Sequence, residues 1–267
     1  MNFHIFKIRC ITNLHVGSGD INYTVIDKEV EKDPLTNLPI IHASGIKGAL
    51  LNHFQKTMDK NMLNSIFGTP GNGDVSKPGS YRFLDAHLLS RPMRTENDKS
   101  SFINVTTVEM LQDFLDTVKD FCCENLNKSI PTFNFDSSQF WATENVSIEG
   151  ISATVMDEAQ KQESAWLELL MGKKYAFAAN IKDYALPIIA RNHLENGISS
   201  NLWYEEFVPY GSVFFMVILT PEKECKLDFS KPIQIGGNAS IGYGFTKIEE
   251  IDLNELCKEN INELSKS

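Results

Sequence analysis

Ile233-Gln234-Ile235-Gly236-Gly237-Asn238-Ala239-Ser240-Ile241-Gly242-Tyr243-Gly244-Phe245 packs its glycines between a short apolar segment and a second one, 245–251, that reads as the last strand. The loop therefore feeds a strand. That excludes a dinucleotide fingerprint, whose glycine loop opens a helix. Gly236, Gly237, Gly242 and Gly244, with Asn238, let the backbone approach a ligand closely and turn N–H groups toward phosphate. From this segment alone, a tight turn with a β-bulge reads equally well.

Upstream of the loop, Val213-Phe214-Phe215-Met216-Val217-Ile218-Leu219 is the longest apolar run and reads as a buried strand. It is far shorter than the ~20 residues that cross a bilayer. Residues 3–11 read as the first strand instead of a signal peptide, because Lys7 and Arg9 interrupt the apolar pattern. A short strand at 40–41 and a clear one at 81–89 follow. The spacing predicts a helix over 108–125, with Val108, Leu111, Leu115, Val118 and Cys122 on one face. Residues 129–162 read as an inserted hairpin, 165–171 and 186–189 as short elements, and 253–264 as a closing helix. With no long linker and no repeat, the chain reads as one α+β domain over 1–267 with an antiparallel sheet, and 95–185 as its least defined part.

The net charge of −10 argues against a naked nucleic-acid binder, since phosphate needs local positive potential. It leaves room for basic residues gathered on one face. Five cysteines without a C-x-x-C pair point to reduced thiols in a cytoplasmic protein, not to a zinc site or disulfide framework.

Three further segments carry chemistry. In Ser44-Gly45-Ile46-Lys47-Gly48 the glycines flank a lysine in the first turn of a helix that Ser44 would cap, where N–H groups and the macrodipole favour an anion. His15-Val16-Gly17-Ser18-Gly19 lies shortly before Asp27. A carboxylate there suits a general base or a metal ligand, and His15 reads equally as a histidine that holds its loop. In Leu202-Trp203-Tyr204-Glu205-Glu206-Phe207 the aromatics suit base stacking or the core, with the core favoured for Trp203. Glu205 joins Asp27 and His15 as a candidate catalytic side chain, although spacing does not separate it from Glu206.

These segments occur together and in order in one family. The chain resembles the RAMP superfamily, and within it the RNA-cleaving backbone subunits of Cmr-type (type III-B) CRISPR effector complexes. The matching pieces are residues 14–19, Ile26-Asp27, 36–41, 44–50, Asp85-Ala86-His87-Leu88-Leu89, 202–206 and 233–245. The resemblance implies a ferredoxin-like (RRM-like) core with large insertions, one of them a thumb hairpin. It also implies copies stacked along a CRISPR RNA beside other Cmr subunits, and metal-dependent cutting of paired target RNA at regular intervals. Asp27 falls at the family's cleaving aspartate and would hold Mg²⁺ or Mn²⁺. Lys47, with Ser44, Gly45 and Gly48, falls at its guide-contacting segment, and residues 236–244 at its glycine loop. Departures are the run after Asp27 (Lys28-Glu29-Val30), Asn37 where the family has glycine, and His87 where it has arginine. Asparagine tolerates the same left-handed backbone.

Two other readings remain: a structural filament subunit that binds guide RNA without cutting, and a metal-independent, histidine-based ribonuclease that processes CRISPR RNA.

Overall fold

The computed structural model describes residues 1–267 except 18, 20–24, 70–75, 98–99, 123–125, 127, 136–138, 183, 223–224 and 258–267. The apolar run forms a central strand, Val213–Thr220, because both faces of the sheet are covered there. Phe214, Met216 and Ile218 enter one core, while Val213, Phe215 and Val217 enter the other. A strand buried on both faces reads as a continuous apolar run, without alternation.

In chain order the principal strands are β1 (Asn2–Cys10), β2 (Ile40–Ile41), β3 (Ala86–Asn97), β4 (Ser100–Thr107), β5 (Tyr175–Ala178), β6 (Ile188–Glu195), β7 (Ile198–Glu206), β8 (Val213–Thr220), β9 (Ile233–Gln234) and β10 (Phe245–Glu250). The main sheet runs β5-β4-β3-β8-β1-β10-β9, extended beyond β5 by short strands at 140–142 and 154–155. β8 pairs antiparallel with β1 (Ile5 opposite Val217) and with β3 (Phe214 opposite Leu88). β10 pairs antiparallel with β1 on its other side.

The sheet is mixed, which corrects the expectation of a wholly antiparallel one. β5 runs parallel to β4 (Tyr175 opposite Asn104), and 154–155 parallel to 140–142. A parallel pair needs a long crossover. Here it includes α3 (Val108–Phe121) and the short helical turns at 165–171. Thr107 caps α3 by accepting the Met110 N–H at 3.2 Å. Leu111, Leu115 and Val118 bury on the sheet as the spacing predicts, with Cys122 partly buried beside them; Phe114 joins them, and Val108 is exposed.

The opposite face is covered by α1 (Ala43–Phe54), through Ile46, Leu50 and Phe54, and by α2 (Lys60–Phe67), through Ile66 and Phe67. Ser44 does not cap α1: the cap position is His42, and Asp85 accepts the Ala43 N–H at 2.6 Å instead. Asn37 has φ 57°, the left-handed backbone its position demands.

β6 and β7 form a hairpin of their own, outside the main sheet. Its tip is Asn196-Gly197, at φ 51° and 83°, the two-residue turn that matches strand twist. Leu194, Ile198 and Leu202 stand exposed on it. Residues 140–155 instead form short strands at the edge of the main sheet, with a minimal hairpin at 147–152. The closing helix is Leu253–Cys257; the rest of its expected length lies outside the described residues. Among the described residues no helix is long and apolar enough to cross a membrane.

Candidate functional site

Three segments distant in sequence meet at the foot of the β6–β7 hairpin. Residues 13–15 are stitched to both of the others. Leu14 exchanges two 2.8 Å backbone hydrogen bonds with Val208. The Gly244 N–H donates to the Asn13 carbonyl, and the Gly237 N–H to the His15 carbonyl, each at 2.8 Å. At Gly236 (φ 79°) an added Cβ would strike the His15 carbonyl, and at Gly244 (φ 80°) it would strike that of Ile235. Those two glycines are therefore steric requirements of this junction.

His15 is buried, and its Nδ1 lies 2.8 Å from the Glu206 carbonyl. A carbonyl only accepts, so Nδ1 carries a proton, and the ring anchors the loop as the structural reading of His15 anticipates. Glu205 is 1% exposed. Its Oε1 accepts from Asn238 Nδ2 and lies 3.7 Å from His15 Nδ1. Its Oε2 forms a 2.6 Å ion pair with Arg191 Nε, outside linear hydrogen-bond geometry. The Arg191 guanidinium stands 5.0 Å from the Tyr243 ring centre. Glu205 thus joins both hairpin strands to the glycine turn, which makes it a buried connector with no exposed oxygen for catalysis. Glu206 accepts the Val30 N–H at 3.0 Å and Lys32 Nζ at 3.1 Å.

Asp27 is exposed and docks on β7. Tyr204 N–H donates to its Oδ2 at 2.7 Å, and the Tyr204 carbonyl accepts from the N–H groups of Asp27 and Lys28 at 3.1 Å. The anchors of Asp27 and His15, Tyr204 and Glu206, are two residues apart on one strand, ~7 Å. Trp203 is half-buried, with Lys28 Nζ 5.4 Å from its ring centre. Among the described residues no three His, Cys, Asp or Glu side chains group as metal ligands. Asp27 offers a single carboxylate, one oxygen of which already accepts the Tyr204 N–H.

Ser44, Gly45, Lys47 and Gly48 are exposed on α1, and α1 packs against β9, the strand that leads into the glycine turn. On that side, at the C-terminal end of α1, the Phe54 ring meets Phe229 at 6.0 Å between centres. The N-terminus of α1 already holds an acid, Asp85, which also lies 3.5 Å from His42 Nδ1; Glu31 lies 3.3 Å from His42 Nε2. Burial opposes protonation of His42, but the bonds to Glu31 and Asp85 outweigh it and raise its pKa. His87 stacks on Phe215 and pairs with Asp113 at 3.3 Å. Sequence reasoning missed Arg191, Glu206 and Asp85. The Asn196-Gly197 turn flanked by apolar residues was the available sign of the hairpin that positions the first two.

The model of the RAMP superfamily matches residues 7–247. The CRISPR system Cmr endoribonuclease Cmr4 of Pyrococcus furiosus is 25% identical, across 93% of this chain and 95% of that one. The fold superposes on a chain of the type III-B Cmr-beta complex solved by cryo-EM with cognate target RNA (TM-score 0.74, 20% identity, 96% and 99% coverage). It also superposes on crystalline oligomeric Cmr4 from Pyrococcus furiosus (TM-score 0.69, 21% identity, 94% and 99% coverage). From its seventh residue to the end of its glycine turn and into its last strand, the chain belongs to the RAMP superfamily.

Proposed function

We propose that this chain is a backbone subunit of a type III-B effector complex that binds CRISPR RNA and cleaves the paired target RNA. One observation carries the reading: Asp27, exposed and held on β7, shares the foot of a projecting hairpin with the glycine turn and the His15 loop. That arrangement sets a solvent-facing carboxylate beside backbone that a polynucleotide can approach closely. The relatives support it: one is a Cmr endoribonuclease, one a chain in a complex with target RNA, one an oligomer. The partners are guide and target RNA, further copies of the chain, and other Cmr subunits.

Within this reading the β6–β7 hairpin is the thumb. The middle of the sheet is the ferredoxin-like core: β3-β8-β1-β10 follows that fold's strand order, with α1 on the crossover from β1 to β3. Lys47 and the glycine turn hold guide phosphates, the lysine as a point charge at a helix start. A divalent ion, when bound by Asp27 and an RNA phosphate, supplies Lewis acidity at the scissile group. Asp27 positions, and guide pairing sets the geometry, so the isolated chain is a poor catalyst.

The test is an Asp27→Ala variant assembled with guide RNA and partner subunits. Target RNA still binds and cutting stops. Undiminished cutting removes the assignment. Intact target in the wild-type complex supplied with Mg²⁺ or Mn²⁺ would favour the purely structural subunit, consistent with Oδ2 of Asp27 serving as a strand anchor. Cleavage of precursor RNA in chelator would favour the histidine-based alternative.

A further inference from the structure

Beside the foot of the hairpin, a cavity of about 150 Å³ opens between the 32–39 turn, β3 and the 181–186 segment that leads into β6. Among the described residues its lining carries Lys32, Arg91 and Lys182 and one carboxylate, Glu206. Arg91 is 6% exposed. Its Nη2 donates to the carbonyls of Ile181 (3.3 Å) and Tyr184 (2.5 Å), while its buried Nε has no partner. Among the described residues no carboxylate lies within ion-pair distance of it. Glu149 and Glu206 act on it only from beyond ion-pair distance, and a guanidinium withdrawn from water without a contacting anion is costly, a cost that falls when an anion enters.

Of the other two cations, Lys32 is held by both carboxylate oxygens of the buried Glu206, and Lys182 is only lightly engaged. Lys182 pairs with Glu109 at 3.3 Å across the surface, where such pairs contribute little, and Lys32 pairs with Glu206 at 3.1 Å. Arginine's planar fork suits a phosphate's oxygens, and the lysines add point charges on the same cavity wall. For a chain of net charge −10, this is a concentrated positive lining next to the candidate site.

We propose that this cavity is a phosphate site, and that it takes a backbone phosphodiester of the RNA passing the hairpin. The inference rests on the function proposed above and adds a subsite to it. The cavity connects to that site through Glu206: its side chain lines the cavity, its carbonyl holds His15, and its N–H donates to the Lys28 carbonyl next to Asp27. A phosphate held at Arg91 would therefore sit on the same hairpin foot that holds Asp27.

The experiment measures target-RNA affinity against salt for complexes assembled with guide RNA. Arg91→Ala would strip two carbonyls of their donor and risk unfolding, so the variants are Lys182→Glu and Arg91→Lys, both checked by circular dichroism. Lys182→Glu weakens binding several-fold and flattens the salt slope by about one unit. Arg91→Lys keeps the slope, because the charge remains, yet still loses affinity with the fork. Unchanged affinity and slope in both variants overturn the site while leaving the function standing. A wild-type complex that binds no RNA overturns both. Inorganic phosphate that raises the melting temperature of wild type but not of Lys182→Glu, with RNA binding unaltered, assigns the cavity to a small phosphate and overturns the RNA assignment.

Discussion

Asn238 donates through its side-chain amide to Oε1 of Glu205, so the glycine turn and the hairpin foot are fastened through one buried carboxylate. The same carboxylate faces Arg191, itself mostly buried. Removing one partner of such a pair leaves the other's charge uncompensated in low dielectric, and Glu205→Ala is expected to cost about 3–5 kcal/mol. Glu205→Gln keeps an oxygen for Asn238 and fills the same space, so it costs less. Urea unfolding of the two variants checks this; equal stabilities would contradict the connector role.

Of the turn's three left-handed glycines, Gly236 and Gly242 are not equivalent. Gly236→Ala places a methyl on the His15 carbonyl, whereas at Gly242 (φ 86°) no atom lies within 4 Å of an added Cβ. Gly242→Ala therefore carries only the backbone term, about 1–2 kcal/mol. Gly236→Ala adds overpacking of about 1–3 kcal/mol and pushes the turn off residues 13–15. Thermal melts separate them, and Gly236→Ala also lowers RNA affinity.

Much of this junction was legible in the chain because backbone requirements leave marks on residue choice. Gly236, Gly244 and Asn37 sit where φ is positive, and the β8 run is apolar throughout because both faces are buried. The mixed sheet was not legible, since β5 is only four residues and nothing in Tyr175-Ala176-Phe177-Ala178 declares its direction. The cap of α1 was misread for a related reason. Ser44 has the right chemistry, but Asp85, far away in sequence, supplies the oxygen. The roles of Glu205 and Arg191 depend on tertiary contacts that no local spacing encodes. The hairpin was encoded, in Asn196-Gly197, and was missed because its strands are apolar where exposed.

His87 introduces a pH dependence. Its hydrogen bond to Asp113 outweighs burial and raises its pKa above 6.5. A group whose pKa is raised on folding contributes stability that is complete below the unfolded value and lost as pH climbs through the folded one. Both side chains are well exposed, so the effect is small. The melting-temperature difference between wild type and His87→Gln is expected to be largest near pH 6 and to shrink toward pH 9. A difference that grows with pH would refute the pairing.

Asp85 gives the sharpest separation of structure from binding. Its Oδ1 caps α1, and its charge occupies the same helix terminus that carries Lys47. Asp85→Ala loses the cap, about 1 kcal/mol, and should lower stability and RNA affinity together. Asp85→Asn retains an acceptor for the Ala43 N–H but removes a negative charge that opposes an incoming phosphate. That variant is expected to keep its melting temperature within a few degrees while binding guide RNA more tightly, with the gain fading at high salt as screening takes over. Weaker binding by Asp85→Asn at unchanged stability would mean that the acid itself contacts RNA, and that the start of α1 is not the anion site its glycines and lysine suggest.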